Sequence, residues 1–112
     1  MQTVVETPSY LKAAEKLFSS EERGAIVAMV SDNPECGDVV AGTGGFRKVR
    51  FGRSGMGKRG GALIVYIFRN ENFPIFLIAV YAKNEKANLT KAERNELAKQ
   101  SEVIFTKYER RP

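Results

Sequence analysis

A strand–loop–strand segment constrains the fold of this 112-residue chain more than any other feature. Two runs of strand-forming residues, FRKVRF (46–51) and ALIVYIF (62–68), flank a glycine-rich loop over residues 52–61. In the first run, alternation places Val49 and Phe51 on one face and Lys48 and Arg50 on the other. The second run is apolar throughout, which is typical of a strand covered on at least one face. The segment therefore predicts a long hairpin with its second strand at the centre of a sheet.

The loop of this hairpin resembles a nucleotide-binding loop only in part. Gly52, Gly57 and Lys58 fit the spacing G-x-x-x-x-G-K-[ST], but Arg59 stands where a Mg²⁺-binding hydroxyl is required. A phosphate-binding loop also leads into a helix whose N-terminus faces the phosphates, whereas this loop leads into a predicted strand. The sequence therefore argues against a nucleotide site of this kind.

Helix signals lie on both sides of the hairpin. Thr7 can cap a first helix with Pro8 at its first position, and Ser19 with Glu22 forms a capping-box pattern for a second. The breakers in DNPECGD (32–38) end that second helix. A third strand is predicted over PIFLIAVYAK (74–83). A capping box in TKAE (90–93) opens a last helix, whose apolar side is predicted to contain Ala92, Leu97, Ile104 and Phe105.

The order of these elements defines the expected fold class. Helices precede a run of strands and another helix follows it, which argues for an α+β fold with an antiparallel sheet. The whole chain, residues 1–112, is predicted to form a single domain, since it contains no repeat, linker or low-complexity segment. We expect no membrane span, because no stretch of 18 apolar residues exists, and we see no signal peptide.

Histidine is absent and Cys36 is the single cysteine, which narrows the possible chemistry. Ser-His-Asp and Cys-His nucleophile pairs are excluded, as are the common zinc sites, so no metal site is predicted. A lone cysteine cannot form an internal disulfide, which fits a reducing cytosol. Cys36 is interpreted as structural or incidental, and its alkylation is predicted not to abolish activity.

Positive charge is concentrated in the hairpin. The chain carries a net charge of +5, and the segment from Phe46 to Gly61 contains six cations and no acidic residue: Arg47, Lys48, Arg50, Arg53, Lys58 and Arg59. Such a surface favours a phosphate-rich partner, most naturally nucleic acid. The alternative is a solvated sheet edge whose charges discourage aggregation. Because an ordinary edge mixes both signs, the nucleic-acid interpretation is favoured.

Several motifs in combination resemble a known family. GTGGFRKVRF (42–51), GKRGG (57–61) and VYAKNEKANLTKAERNEL (80–97) are similar to the HigB-like branch of the RelE/ParE toxin superfamily. Its members are the toxins of bacterial type II toxin-antitoxin modules. The resemblance implies a RelE-like α+β fold, with two N-terminal helices packed on a small curved antiparallel sheet and a C-terminal helix.

The resemblance also implies an activity and a site. RelE-type and HigB-type toxins are endoribonucleases that cut mRNA on the ribosome, by attack of a ribose 2′-hydroxyl on the adjacent phosphate, without a metal or other cofactor. Carried over by motif, the implied catalytic residues are Lys48, Arg50, Lys83 and Glu85, and either Lys83 or Glu85 is expected to accept the proton. The implied RNA-binding residues are Arg47, Arg53, Lys58, Arg59 and Lys86.

One departure from the family pattern keeps an alternative open. Leu63 stands early in the central strand, where the family commonly has an arginine that contacts the scissile phosphate. Arg59 could reach in from the loop instead, or activity could be weakened. The alternative is a ParE-like gyrase inhibitor or a catalytically silent relative that only binds its antitoxin. The retained basic motifs favour the nuclease.

The implied partners follow from the same resemblance. They are a cognate antitoxin, with acidic or amphipathic segments that cover the basic surface, and the mRNA and rRNA of the ribosome. No membrane partner is implied, and the implied location is the bacterial cytoplasm.

Overall fold

A five-stranded sheet with helices on both faces forms the molecule. The computed structural model describes residues 2–52, 61–82 and 88–109. Along the chain the elements are β1 (Val4–Glu6), α1 (Pro8–Leu17), α2 (Ser20–Asp32), β2 (Asp38–Val39), β3 (Phe46–Phe51), β4 (Ala62–Ile67), β5 (Ile75–Ala82) and α3 (Lys91–Glu109). The strand order is β1-β5-β4-β3-β2. This is the predicted α+β fold, and β3, β4 and β5 form the predicted run of antiparallel strands.

Strand β4 is the centre of the core, as its apolar run predicts. All six of its residues are buried, because the sheet is covered on both faces. Ile64 and Tyr66 point into a cluster with the residues of α1 and α2, including Tyr10 and Ile26. Val65 and Ile67 point the opposite way, into a second cluster with α3. A strand with two buried faces needs apolar residues at every position, which explains why this run does not alternate.

The first two helices begin where their capping signals predict. Pro8 occupies the first turn of α1, with Thr7 at the N-cap. Thr7 does not cap through its side chain, however, since its hydroxyl donates to the Leu77 carbonyl at 2.7 Å. The Ser19–Glu22 capping box is confirmed: Glu22 N–H donates to the Ser19 hydroxyl at 3.1 Å, and Ser19 N–H donates to the Glu22 carboxylate at 3.0 Å.

This capping box gives a stability prediction with a matched control. Ser19→Ala removes the acceptor for an otherwise unpaired amide of the first turn, so we expect the free energy of unfolding to fall by about 1 kcal/mol. The adjacent Ser20 is the first residue of α2 and is exposed, so Ser20→Ala should change stability by less. Chemical denaturation of both variants checks this, and equal effects would contradict the capping role.

The sheet is mixed rather than purely antiparallel, which corrects the sequence-based prediction. Strand β1 was not predicted, and it pairs in parallel with Ile75–Leu77 of β5. The Ile75 amide donates to the Thr3 carbonyl at 2.8 Å and holds this added edge. A three-residue strand is too short to show a reliable alternation in the sequence. It forms because the edge of β5 offers it hydrogen-bond partners.

Helix α3 covers the second face of the sheet. Its predicted capping box is present, with the Glu93 N–H donating to the Thr90 hydroxyl at 3.1 Å and the Thr90 N–H donating to the Glu93 carboxylate at 2.8 Å. The buried residues are Leu97, Ser101 and Phe105. Ala92 is exposed, so its predicted place on the buried side was wrong. Ser101 is buried instead, where its hydroxyl donates to the Gly44 carbonyl at 3.2 Å.

Candidate functional site

Strand β3 places two predicted site residues on one face of the sheet. Lys48 pairs with Val65 of β4 and Arg50 pairs with Leu63, so both point to the face that carries α3. Val49 and Phe51 point the other way, against the α1–α2 cluster, as the alternation predicts. Lys48 is half-buried and Arg50 is exposed. The two cations are therefore two positions apart on β3 and point to the same face of the sheet.

Lys48 and Arg50 line the same pocket, which lies beside the paired strands β2 and β3. The pocket has a volume of about 210 Å³ and is lined by Cys36, Asp38, Lys48, Val49, Arg50, Leu63 and Asn88. Among these residues are two cations and one carboxylate. A singly charged phosphodiester would balance that charge. We refer to this cavity as the β3 pocket.

A side-chain amide sets the position of the lysine in the β3 pocket. The Lys48 ammonium donates to the Asn88 amide oxygen at 2.6 Å. The same oxygen accepts from the Leu89 N–H at 2.9 Å, which orients it just before α3 begins. An ammonium has three donor hydrogens, so one bond fixes its direction and others can reach a ligand. Sequence reasoning missed Asn88, because the bonded pair is 40 positions apart in the chain and leaves no local signal.

Arg47 points to the opposite face of the sheet from Lys48 and Arg50. Its guanidinium donates to the Gly37 carbonyl at 2.8 Å and lies 3.7 Å from the Glu35 carboxylate. Arg47 was predicted to bind RNA. Because its guanidinium instead ties the segment before β2 to β3, we leave Arg47 out of the proposed site.

The buried Tyr66 hydroxyl anchors the same segment from β4. It accepts from the Gly37 N–H at 2.9 Å, donates to the Pro34 carbonyl at 2.7 Å and lies 3.7 Å from the Cys36 sulfur. Burial, and then the contact with Cys36, raise the pKa of Tyr66 above its ordinary value of 10.0. Gly37 is closely packed here, since a Cβ atom at this position would lie 2.8 Å from the Lys48 carbonyl oxygen. The wall of the β3 pocket is thus fixed to the two strands behind it.

Six of the predicted site residues lie outside the described residues. They are Arg53, Lys58 and Arg59 in the hairpin loop, and Lys83, Glu85 and Lys86 after β5. Their roles remain predictions.

Cys36 lines the β3 pocket, and its sulfur lies 3.7 Å from the Tyr66 hydroxyl, which fits the structural one of its two interpretations. It is half-exposed and a free thiol, so N-ethylmaleimide should reach it. The adduct would occupy space beside Lys48 and Arg50. This placement revises the prediction from the sequence: alkylation is expected to lower toxin activity strongly. Cys36→Ser should remain active and should become insensitive to the reagent. Full activity of the wild type after complete alkylation, verified by mass spectrometry, would contradict this placement.

Comparison with known structures and families identifies the fold and then the family. The structure of the E. coli toxin RelE in the free state, an arginine-to-alanine double mutant, is similar with a TM-score of 0.57 and 21% sequence identity. The match covers 85% of this chain and 95% of that one. The arrangement is therefore a RelE-type α+β fold. Residues 10–111 match the family described as the RelE toxin of the RelE/RelB toxin-antitoxin system.

The protein belongs to the RelE toxin family of toxin-antitoxin systems. Within the described part of the chain, none of the helices has the length and apolar character needed to cross a membrane.

Proposed function

We propose that this toxin is a ribosome-dependent endoribonuclease that cuts mRNA without a metal. The single observation that carries the proposal is the convergence of Lys48 and Arg50 on the β3 pocket. Strand alternation puts both cations on one face, and the bond from Lys48 to Asn88 gives one of them a defined direction. Two cations on one face of a hydrogen-bonded strand suit a phosphate that gains charge during reaction.

The reaction we assign to the β3 pocket is attack by a ribose 2′-hydroxyl on the adjacent phosphate. A new bond forms between O2′ and phosphorus, and the bond between phosphorus and O5′ breaks. The products are a 2′,3′-cyclic phosphate and a 5′-hydroxyl. Arg50 and Lys48 stabilise the added negative charge of the phosphorane, which is the role of preorganised donors in a site of this kind. The family resemblance offers Lys83 or Glu85, which follow β5 in the sequence, as candidates for the proton acceptor.

The hairpin loop supplies the remaining RNA contacts in this proposal. Arg53, Lys58 and Arg59, together with Lys86, are proposed to hold phosphates of mRNA or rRNA. The charge of the segment supports these contacts, because every ionisable residue from Phe46 to Gly61 is a cation. Contacts of this type release counterions, so binding to the ribosome should weaken as salt is raised.

The proposed partners are a cognate antitoxin, the mRNA and the rRNA. An antitoxin with acidic or amphipathic segments would complement the net charge of +5. A toxin that acts on the ribosome would work in the bacterial cytoplasm, which is the location we propose.

Leu63 favours a second candidate function. It lines the β3 pocket and is 3% exposed, at the position where the family resemblance leads us to expect an arginine. A pocket with one cation fewer suits a relative that does not cut RNA. That candidate is a ParE-like inhibitor of DNA gyrase, or a silent protein that binds only its antitoxin.

A two-arm assay separates these functions. Purified wild-type toxin is added to mRNA alone, to mRNA on ribosomes, and to supercoiled DNA with gyrase. Cutting that requires the ribosome supports the proposal. Gyrase-dependent DNA breaks without RNA cutting would establish the ParE-like inhibitor. If a folded protein cuts neither RNA nor DNA, the silent, antitoxin-binding relative is the function that remains.

A further inference from the structure

We infer that Asp38 is the general base of the β3 pocket and takes the proton of the attacking 2′-hydroxyl. This inference rests on the proposed ribonuclease function and adds a residue that neither the sequence motifs nor the family resemblance assigns. It concerns a described side chain, whereas Lys83 and Glu85 lie outside the described residues.

The sheet register puts Asp38 directly opposite Lys48. Asp38 of β2 is the cross-strand partner of Lys48 of β3. Directly opposed residues of an antiparallel pair project to the same face, so the Asp38 carboxylate lies on the side of Lys48 and Arg50. All three line the β3 pocket. A phosphate held by the cations would therefore have a carboxylate at its border.

A structural ion pair does not explain this carboxylate. The usual reason for an aspartate opposite a lysine is a cross-strand ion pair, but Lys48 directs its ammonium to Asn88 at 2.6 Å. Among residues 2–52, 61–82 and 88–109, neither a hydrogen bond nor an ion pair occupies the Asp38 carboxylate. Asp38 is exposed, so a substrate can reach it.

Buried groups on both sides hold the backbone of Asp38 in place. Before it, Gly37 is bound through its N–H to the Tyr66 hydroxyl and through its carbonyl to Arg47. After it, the Val40 N–H donates to the Phe46 carbonyl at 2.9 Å, and the Val40 carbonyl accepts from the buried Thr43 hydroxyl at 2.6 Å. A general base acts efficiently only when it is held within reach of the proton. A two-residue strand fixed at both ends meets that requirement.

The three charged groups divide the reaction between them. A carboxylate accepts protons, whereas ammonium and guanidinium groups only donate. The proton of the 2′-hydroxyl passes to Asp38, and the electron pair of O2′ forms the bond to phosphorus. The bond between phosphorus and O5′ breaks with its electron pair on O5′, which takes a proton from the Lys48 ammonium. Arg50 stabilises the phosphorane, and exchange with water then returns a proton from Asp38 to solvent and one from solvent to Lys48.

Chemical rescue tests this role in a way that a structural effect would not reproduce. Asp38→Ala removes the base and leaves space in an open pocket, so added formate can take its place. We expect single-turnover cleavage of ribosome-bound mRNA to fall by about 100-fold or more in both Asp38→Ala and Asp38→Asn. Formate should restore part of the rate of Asp38→Ala and should leave Lys48→Ala unchanged.

The control is Asp32→Ala, which removes an exposed aspartate at the end of α2. It should cut at the wild-type rate with or without formate. All variants are compared for ribosome binding and thermal unfolding. If Asp38→Ala does not fold, the cleavage rate of the isosteric Asp38→Asn variant decides whether Asp38 is the base.

The outcomes separate the inference from the proposed function. If the wild type cuts but the Asp38 variants stay within about threefold of its rate, the inference fails and the nuclease function stands. A loss in Asp38→Ala that formate does not restore also overturns it. If the folded wild type does not cut, the proposed function fails and the inference with it.

Discussion

Replacing Lys48 or Arg50 with alanine should lower the rate of ribosome-bound mRNA cleavage by about 100-fold or more, with little change in stability. The reason is that each cation contributes charge to the same pocket at the moment when the phosphate becomes more negative. Arg50 is exposed and Lys48 is half-buried at the sheet border, and neither belongs to the apolar clusters. The measurement is single-turnover cleavage at saturating toxin.

The matched control for these variants is Lys99→Ala. Lys99 is an exposed cation on α3, away from the β3 pocket, so its loss alters the net charge by the same amount. We expect this variant to cut at nearly the wild-type rate. If all three variants lose activity equally, total charge rather than the geometry of the β3 pocket controls the reaction, and the proposed site is wrong.

Tyr66→Phe should lower the free energy of unfolding by about 1–3 kcal/mol. The substitution keeps the buried ring and removes only the hydroxyl that accepts from the Gly37 N–H and donates to the Pro34 carbonyl. The Gly37 N–H then loses a partner in a buried place, and the Pro34 carbonyl loses one in a partly buried place. Because these bonds also fix the wall of the β3 pocket, cleavage should slow in the same variant. Chemical denaturation and the cleavage assay measure the two effects.

Tyr10→Phe is the matched control for this second prediction. Tyr10 is equally buried, but its hydroxyl has no hydrogen-bond partner among the described residues. Removing an unpaired polar atom should leave stability unchanged or raise it. Equal losses in the two variants would show that the Tyr66 hydrogen bonds contribute nothing specific.

Both phenols also make stability depend on pH in the alkaline range. Burial, and then the Glu6 carboxylate, raise the pKa of Tyr10 to about 12, with Arg23 acting in the opposite direction. The pKa of Tyr66 is raised as well, chiefly by burial. Folded protein therefore keeps protons that the unfolded chain releases above the ordinary value of 10.0. The free energy of unfolding should fall as the pH rises above about 10. This fall should be smaller in each phenylalanine variant.

Local signals predicted the elements that depend on neighbouring residues. The capping boxes at Ser19 and Thr90 were found correctly, because a cap and its partner are three residues apart. The alternation of β3 was predicted correctly, because neighbouring residues of one strand point to opposite faces of the sheet. The same alternation placed Lys48 and Arg50 together without knowledge of the fold.

Long-range contacts account for what the sequence did not reveal. The facing of Asp38 and Lys48 depends on a two-residue strand that has no pattern of its own. The bond between Lys48 and Asn88 joins two separate regions of the chain, as does the pairing of β1 with β5. Arg47 shares a basic run with the site residues. Alternation already places it on the face of Val49 and Phe51, but nothing in the local sequence indicates its bond to the Gly37 carbonyl.

Cleavage of mRNA with a single 2′-deoxynucleotide on the 5′ side of the cut position tests the proposed reaction most directly. The ribosomes, the toxin and all other nucleotides are unchanged, so only the attacking hydroxyl is removed. We predict that unmodified mRNA is cut to a 2′,3′-cyclic phosphate and a 5′-hydroxyl, and that the deoxy-substituted mRNA remains intact. Cutting of the deoxy-substituted mRNA at the same position, or no cutting of unmodified mRNA by folded toxin, would contradict the proposed chemistry.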